Sequence, residues 1–145
     1  MNETIEQKRR RLFGKQYLEE YKKTISKICK SDYELLSIVD SDKIFNELKK
    51  LRKLNCLTFS FKEKVNVWHS YKRNFINSVY LMTKLSEDCG IIKVKDIDYF
   101  NINFDFFAEP EGMIIITNED MNYKLLLDFY EDNESLKIDI IEYIL

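Results

Sequence analysis

The side chains best suited to chemistry are few and scattered. His69 is the sole histidine and stands beside Trp68, and Cys89 is the nucleophile it would have to serve. An imidazole–thiol pair needs a third group to orient the ring and donors to receive an oxyanion, and the sequence marks neither. His69 is therefore expected to be structural or superficial. Cys29, Cys56 and Cys89 are odd in number, far apart and without C-x-x-C spacing, so they read as reduced core thiols and not as a zinc site or disulfide framework. The acidic clusters Asp96/Asp98, Glu119/Asp120 and Glu131/Asp132/Glu134 lack the D-x-D-x-D-G loop and distal Glu of a calcium hand. The E-x-K triplets Glu20-Tyr21-Lys22 and Glu47-Leu48-Lys49 fall in helical patterns, not on the adjacent strands of a carboxylate–lysine nuclease. With Gly14, Gly90 and Gly112 as the only glycines, a phosphate-cradling loop is hard to build. No catalytic residue, metal ligand or cofactor is predicted.

What remains is charge. From Met1 to Lys95, 21 Lys and Arg accompany 12 Asp and Glu, whereas from Asp96 to Leu145 only Lys124 and Lys137 accompany 13 Asp and Glu. Packing the halves together neutralises part of this polarity. The rest gives the second half a negative surface that speeds association with a basic protein. The carboxylates gather in expected turns at 109–111, 118–120 and 131–134. The candidate partner-binding residues are Glu109, Glu111, Glu119, Asp120, Asp128, Glu131, Asp132 and Glu134. The alternative is a nucleic-acid-binding regulator built on Lys8-Arg9-Arg10-Arg11 and on Trp68, Tyr71 and Tyr80, which interleave with Lys64, Lys72, Arg73 and Lys84. Those aromatics coincide with an apolar stripe and the acidic half repels phosphate, so nucleic acid is not the expected partner.

The elements that must position these groups follow from periodicity. Ile5, Leu12, Phe13, Tyr17, Leu18, Tyr21, Ile25, Ile28 and Cys29 predict an amphipathic helix over 2–30 that Gly14 weakens or breaks near 13–15. Ser31-Asp32-Tyr33-Glu34 has capping-box form and predicts a short helix through Val39. Asp40-Ser41-Asp42 would then cap another, ending near Leu54, with Lys49, Lys50, Arg52 and Lys53 on its exposed face. Leu57, Phe59 and Phe61 alternate as an edge strand. Val65, Trp68, Tyr71, Phe75, Val79 and Met82 predict a central packing helix over 63–88, capped by Gly90. Thereafter period-two patterns prevail: Ile92/Val94, a long strand over Phe100–Phe106, a turn at 108–112, strands at 113–117 and 123–130, and a last segment, 136–145, read as a strand over a helix.

A length of 145 residues suits one domain, and an apolar content of 45% with ten Phe and nine Tyr excludes a disordered chain. The expected architecture is a single α+β domain over 1–145, its helical part about 1–90 packed on a mainly antiparallel C-terminal meander over about 91–145. No apolar leader and no apolar run of membrane-spanning length occurs, so a soluble cytoplasmic protein without a membrane partner is expected. In size, architecture, lack of catalytic motifs and acidic surface, the chain resembles immunity proteins of bacterial polymorphic-toxin and contact-dependent growth inhibition systems. That resemblance implies a non-enzymatic protein that neutralises a basic toxin or effector domain by binding it.

Overall fold

The structure, a computed structural model, describes residues 2–30, 32–104 and 112–145. In chain order the first elements are α1 (Ile5–Gly14), α2 (Leu18–Ile28), β1 (Tyr33–Leu35), α3 (Ile38–Leu48), β2 (Arg52–Ser60) and α4 (Lys64–Lys72). There follow β3 (Val79–Met82), α5 (Ser86–Cys89), β4 (Ile92–Val94), β5 (Met113–Asn118), β6 (Tyr123–Asp132) and β7 (Ser135–Ile144).

All seven strands join one antiparallel sheet in the order β1-β4-β3-β5-β6-β7-β2. The α+β expectation holds, with the five helices in the first part of the chain and the β5-β6-β7 meander closing it. Directly opposed residues on neighbouring strands share a face. One face presents Ile114, Ile116, Leu125, Leu127, Phe129, Ile138 and Ile140 to Tyr21, Ile25 and Ile28 of α2, to Trp68 of α4, and to Phe75, Phe100, Ile102 and Phe104. Among the described residues, the other face is covered only toward β3 and β5, where Ile44 and Leu48 of α3 pack on Met82 and Ile91, with Phe45, Tyr80 and Ile115 at the margin.

Local chemistry sets the helix ends. Thr4 Oγ1 accepts the Gln7 N–H at 3.1 Å while the Thr4 N–H donates to Gln7 Oε1 at 2.9 Å, a reciprocal cap that opens α1. Gly14 ends α1, as expected of a break there, because the chain passes so close to α5 that a Cβ would overlap the Asp88 carbonyl oxygen. α1 buries little apolar surface, and Ile5, Leu12 and Phe13 stay exposed. It is held instead by Arg10, whose guanidinium lies in a forked pair on Asp42, with Nη1 at 3.0 Å from Oδ1 and also donating to the Glu87 carbonyl at 3.0 Å. Gln7 Nε2 donates to the same carboxylate at 2.9 Å.

Several boundaries differ from the expectation. Ser31 lies outside the described residues. Tyr33–Leu35 is a strand on β4 rather than a helix, and Ser37 caps α3 by accepting the Asp40 N–H. α3 therefore starts and stops early, which puts Arg52 and Lys53 at the start of β2, the expected edge strand, which among the described residues pairs only with β7. The long helix over 63–88 is three elements: α4 ends at Lys72, β3 inserts into the sheet between β4 and β5, and Gly90, at φ 105°, follows the short α5. The strand expected over Phe100–Phe106 is not formed by its described part: a 3-10 turn at Ile97–Tyr99 leads into a bend that buries Phe100, Ile102 and Phe104, and its ladder pairing among the described residues is one bridge of Phe100 to Cys29. Two strands, β1 and β3, thus replace expected helix, and they join the expected β2 in the part read as mainly helical. The segment 136–145 is a strand, as read.

Candidate functional site

The strand register places the acidic candidates. Glu119 and Asp120 sit in the turn between β5 and β6, and Glu131, Asp132 and Glu134 sit at the turn between β6 and β7. These turns are at opposite ends of a ten-residue strand, roughly 30 Å apart at about 3.4 Å per residue. They do not share one edge. Glu109 and Glu111 lie outside the described residues. The Phe129 N–H donates to the carbonyl of Gly112 at 2.7 Å, so the described chain resumes near the β6–β7 end.

The two ends also differ electrically. Glu119 Oε1 lies 3.5 Å from Lys93 Nζ, and the Ser78 hydroxyl donates to its other oxygen at 3.3 Å. Glu131, Asp132 and Glu134 are exposed and form no salt bridge among the described residues. Asn133 and Glu134, at φ 50° and 67°, make the two-residue left-handed turn that joins Asp132 to Ser135.

Two further carboxylates lie on the sheet beyond the Tyr130–Lys137 row. Asp128 and Asp139 are directly opposed on β6 and β7, on the face away from α2 and α4. Tyr130 Oη donates to Asp139 Oδ1 at 2.8 Å and Thr58 Oγ1 donates to the same oxygen at 2.7 Å. Partial burial, and then the charge of Asp139, push the Asp128 carboxyl above the usual carboxylate range. Neither residue forms a salt bridge among the described residues. Three lysines share this face: Lys137, opposite Tyr130, stands between the pair and the tip, and Lys53 and Lys124 stand at the far end, where Lys124 Nζ lies 4.1 Å from the Tyr143 ring centroid.

A second polar group occupies the other face. Tyr123 Oη donates to Glu142 Oε2 at 2.6 Å, Asn55 Nδ2 donates to Oε1 at 2.9 Å, and Asn74 Nδ2 donates to Tyr123 Oη at 3.1 Å. Burial, then the Glu142 carboxylate, raise the Tyr123 phenol well above its ordinary value. Both Glu142 oxygens are thus engaged within the fold, and the group ties α4's exit to the sheet edge.

The remaining candidates are dispersed. His69 is exposed on α4, whereas Cys89 is buried with Sγ 3.5 Å from the Gly14 carbonyl oxygen, and no hydrogen bond joins them. Burial pushes the Cys29 thiol up to about 12. Among the described residues no three His, Cys, Asp or Glu converge on a point that could hold a metal ion. Trp68 is 4% exposed, with its ring tilted against Phe100 at 5.1 Å, and Tyr80 lies on the opposite side of the sheet under Lys93, so these aromatics form no common stacking platform. Of the basic run, Arg10 and Arg11 are paired to Asp42 and Glu3, while Lys8 and Arg9 are exposed.

Sequence reasoning missed Asp139, Thr58 and Tyr130 as companions of Asp128. A signal existed: Asp128 and Asp139 both fall on the polar parity of adjoining strands. No helix among the described residues is long and apolar enough to cross a membrane. Comparison with protein families, with curated proteins and with solved structures gives no match.

Proposed function

We propose that this protein is a non-enzymatic immunity-type inhibitor that neutralises a basic toxin or effector domain by binding it through the acidic β6–β7 hairpin. The observation that carries the reading is the group of carboxylates Glu131, Asp132 and Glu134 at the tip of a two-residue turn, with Asp128 and Asp139 beyond Lys137 on the sheet, none of them in a salt bridge among the described residues. Strand pairing runs through to the turn, so the charges are presented with little freedom to lose. Glu119 and Asp120 lie outside this contact, because they stand at the other end of β6, where Lys93 already offsets Glu119.

The test is capture of the product of the adjacent gene, with association rates measured as salt rises. Glu131→Lys/Asp132→Lys should slow association by about tenfold at low salt, and Glu119→Lys by less than about twofold. Failure to bind, or binding whose rate ignores both salt and the hairpin charges, overturns the reading.

A further inference from the structure

The face of the sheet that carries Asp128 and Asp139 is apolar as well as charged, with the two carboxylates between Lys137 on one side and Lys53 and Lys124 on the other. The register builds it in rows: Ile115, Leu126, Ile141 and Cys56 form one, and Met113, Asp128, Asp139 and Thr58 form the next. Tyr143 and Tyr130 stand at the two ends. Met113, Leu126, Tyr130, Ile141 and Tyr143 take part in neither hydrophobic core. α3 covers the neighbouring half of this face, and nothing among the described residues covers β6, β7 and β2. A contiguous apolar sheet face with two tyrosines and a methionine has the composition of an interface core.

We propose that this uncovered face is the docking surface for a basic protein segment, which lays apolar side chains on the Leu126–Ile141–Cys56 row and one arginine on the Asp128–Asp139 pair. The proposal rests on the inhibitor reading and names its central contact. The Asp128–Asp139 pair selects the occupant, because none of the face's own lysines, Lys53, Lys124 and Lys137, forms a salt bridge to it among the described residues. Two carboxylates directly opposed across strands repel, and partial burial leaves Asp128 short of solvent; a cation delivered from outside relieves both costs. A second copy laid face to face would bring four such carboxylates together instead. Geometry favours guanidinium over ammonium. Both hydroxyls donate to Asp139 Oδ1, which leaves Oδ2 and the two oxygens of Asp128 for a planar, forked donor.

Cys56 is the one exposed cysteine and lies beside Ile141, so the native thiol reports on the face. The whole protein is titrated with an alternating phenylalanine–arginine hexapeptide and with its phenylalanine–lysine counterpart, following maleimide modification of Cys56. The arginine peptide should slow modification saturably, by about tenfold, and should bind about fivefold tighter than the lysine peptide. Asp128→Asn and Leu126→Glu should each weaken it by about tenfold, and Glu131→Lys by about threefold or less. Absence of binding, an unchanged Cys56 rate in the unmutated protein at saturating peptide, or equal affinity for the two peptides overturns the proposal. Capture of the adjacent gene's product that depends on Glu131 and Asp132 while Cys56 stays fully reactive preserves the inhibitor reading and overturns only the docking face.

Discussion

The two faces of the β6–β7 hairpin are built from the same two strands and meet opposite fates. On one, Leu125, Leu127, Phe129, Ile138 and Ile140 are buried under helices. On the other, Leu126, Asp128, Tyr130, Asp139 and Ile141 are half-exposed and join neither core. Parity alone separates them, because neighbouring residues of a strand point to opposite sides. The difference teaches that stability and recognition are divided between the faces: the covered side holds the fold, and the open side carries apolar area and charge that the fold does not use.

The largest effect expected of a single truncation follows directly. Leu127→Ala removes a fully buried side chain and should lower unfolding free energy by about 3 kcal/mol, whereas Leu126→Ala, one position away, should cost about 1 kcal/mol or less. Paired urea titrations measure both. Equal losses would mean that the open face is packed after all, and the division would collapse.

Next in size is the contrast between two carboxylates on the same side of the sheet. Asp42 is held below the usual carboxylate range by the Arg10 guanidinium, with burial opposing and Gln7 assisting. A folded-state value below the unfolded one contributes stability above the unfolded value, about 3.9, and that contribution is lost as pH falls through it toward the lower folded value. Asp42→Asn should therefore cost about 1.5 kcal/mol at neutral pH, where its removal also frees Arg10 and α1, and progressively less as the medium is acidified below pH about 4. Asp128 has the opposite sign. Its folded-state value is raised, so its charge penalises the fold above that value, and the penalty fades as pH falls through it to the unfolded value. Asp128→Asn should stabilise by about 0.5–1 kcal/mol at neutral pH, and the gain should vanish in acid. Thermal melts at pH 7 and pH 3 for both variants separate a carboxylate that serves the fold from one that the fold only tolerates.

Much of this was legible in the sequence, and what was not has specific causes. Leu125, Leu127 and Phe129 marked the inner face of β6, but Leu126 sits between two leucines, and Ile141 follows Ile140, so the open face was hidden inside apolar runs that a single alternating pattern does not resolve. The 63–88 helix failed because Tyr71, Phe75, Val79 and Met82 keep helical spacing straight through a turn, while Asn74-Phe75-Ile76-Asn77-Ser78 carries the break. Ser37 and Thr4 were ordinary caps overlooked beside the more conspicuous form at 31–34. The separation of the acidic turns was implicit in the meander itself: successive hairpin turns fall at opposite ends of the strand they share, so the turns at 118–122 and 133–134 could never have met.

The smallest expected effect bears most directly on that division. Glu134 occupies the second position of the β6–β7 turn at φ 67°, where a side chain is disfavoured and glycine is the usual residue. Left-handed backbone costs an L-residue about 1–2 kcal/mol, and glycine in its place returns about 0.5–1 kcal/mol of that as added entropy of the unfolded chain. Glu134→Gly should thus stabilise the protein by about 0.5–1 kcal/mol, read as a raised urea midpoint at unchanged slope. The same change removes a carboxylate from the tip, so association with the adjacent gene's product should slow by about twofold to threefold at low salt. A gain in stability with a loss in rate is what a strained, charged turn kept for recognition requires. A variant that is stabilised and associates at the original rate would leave Glu134 without a part in binding. One that is destabilised would show that the glutamate supports the turn by some contact of its own.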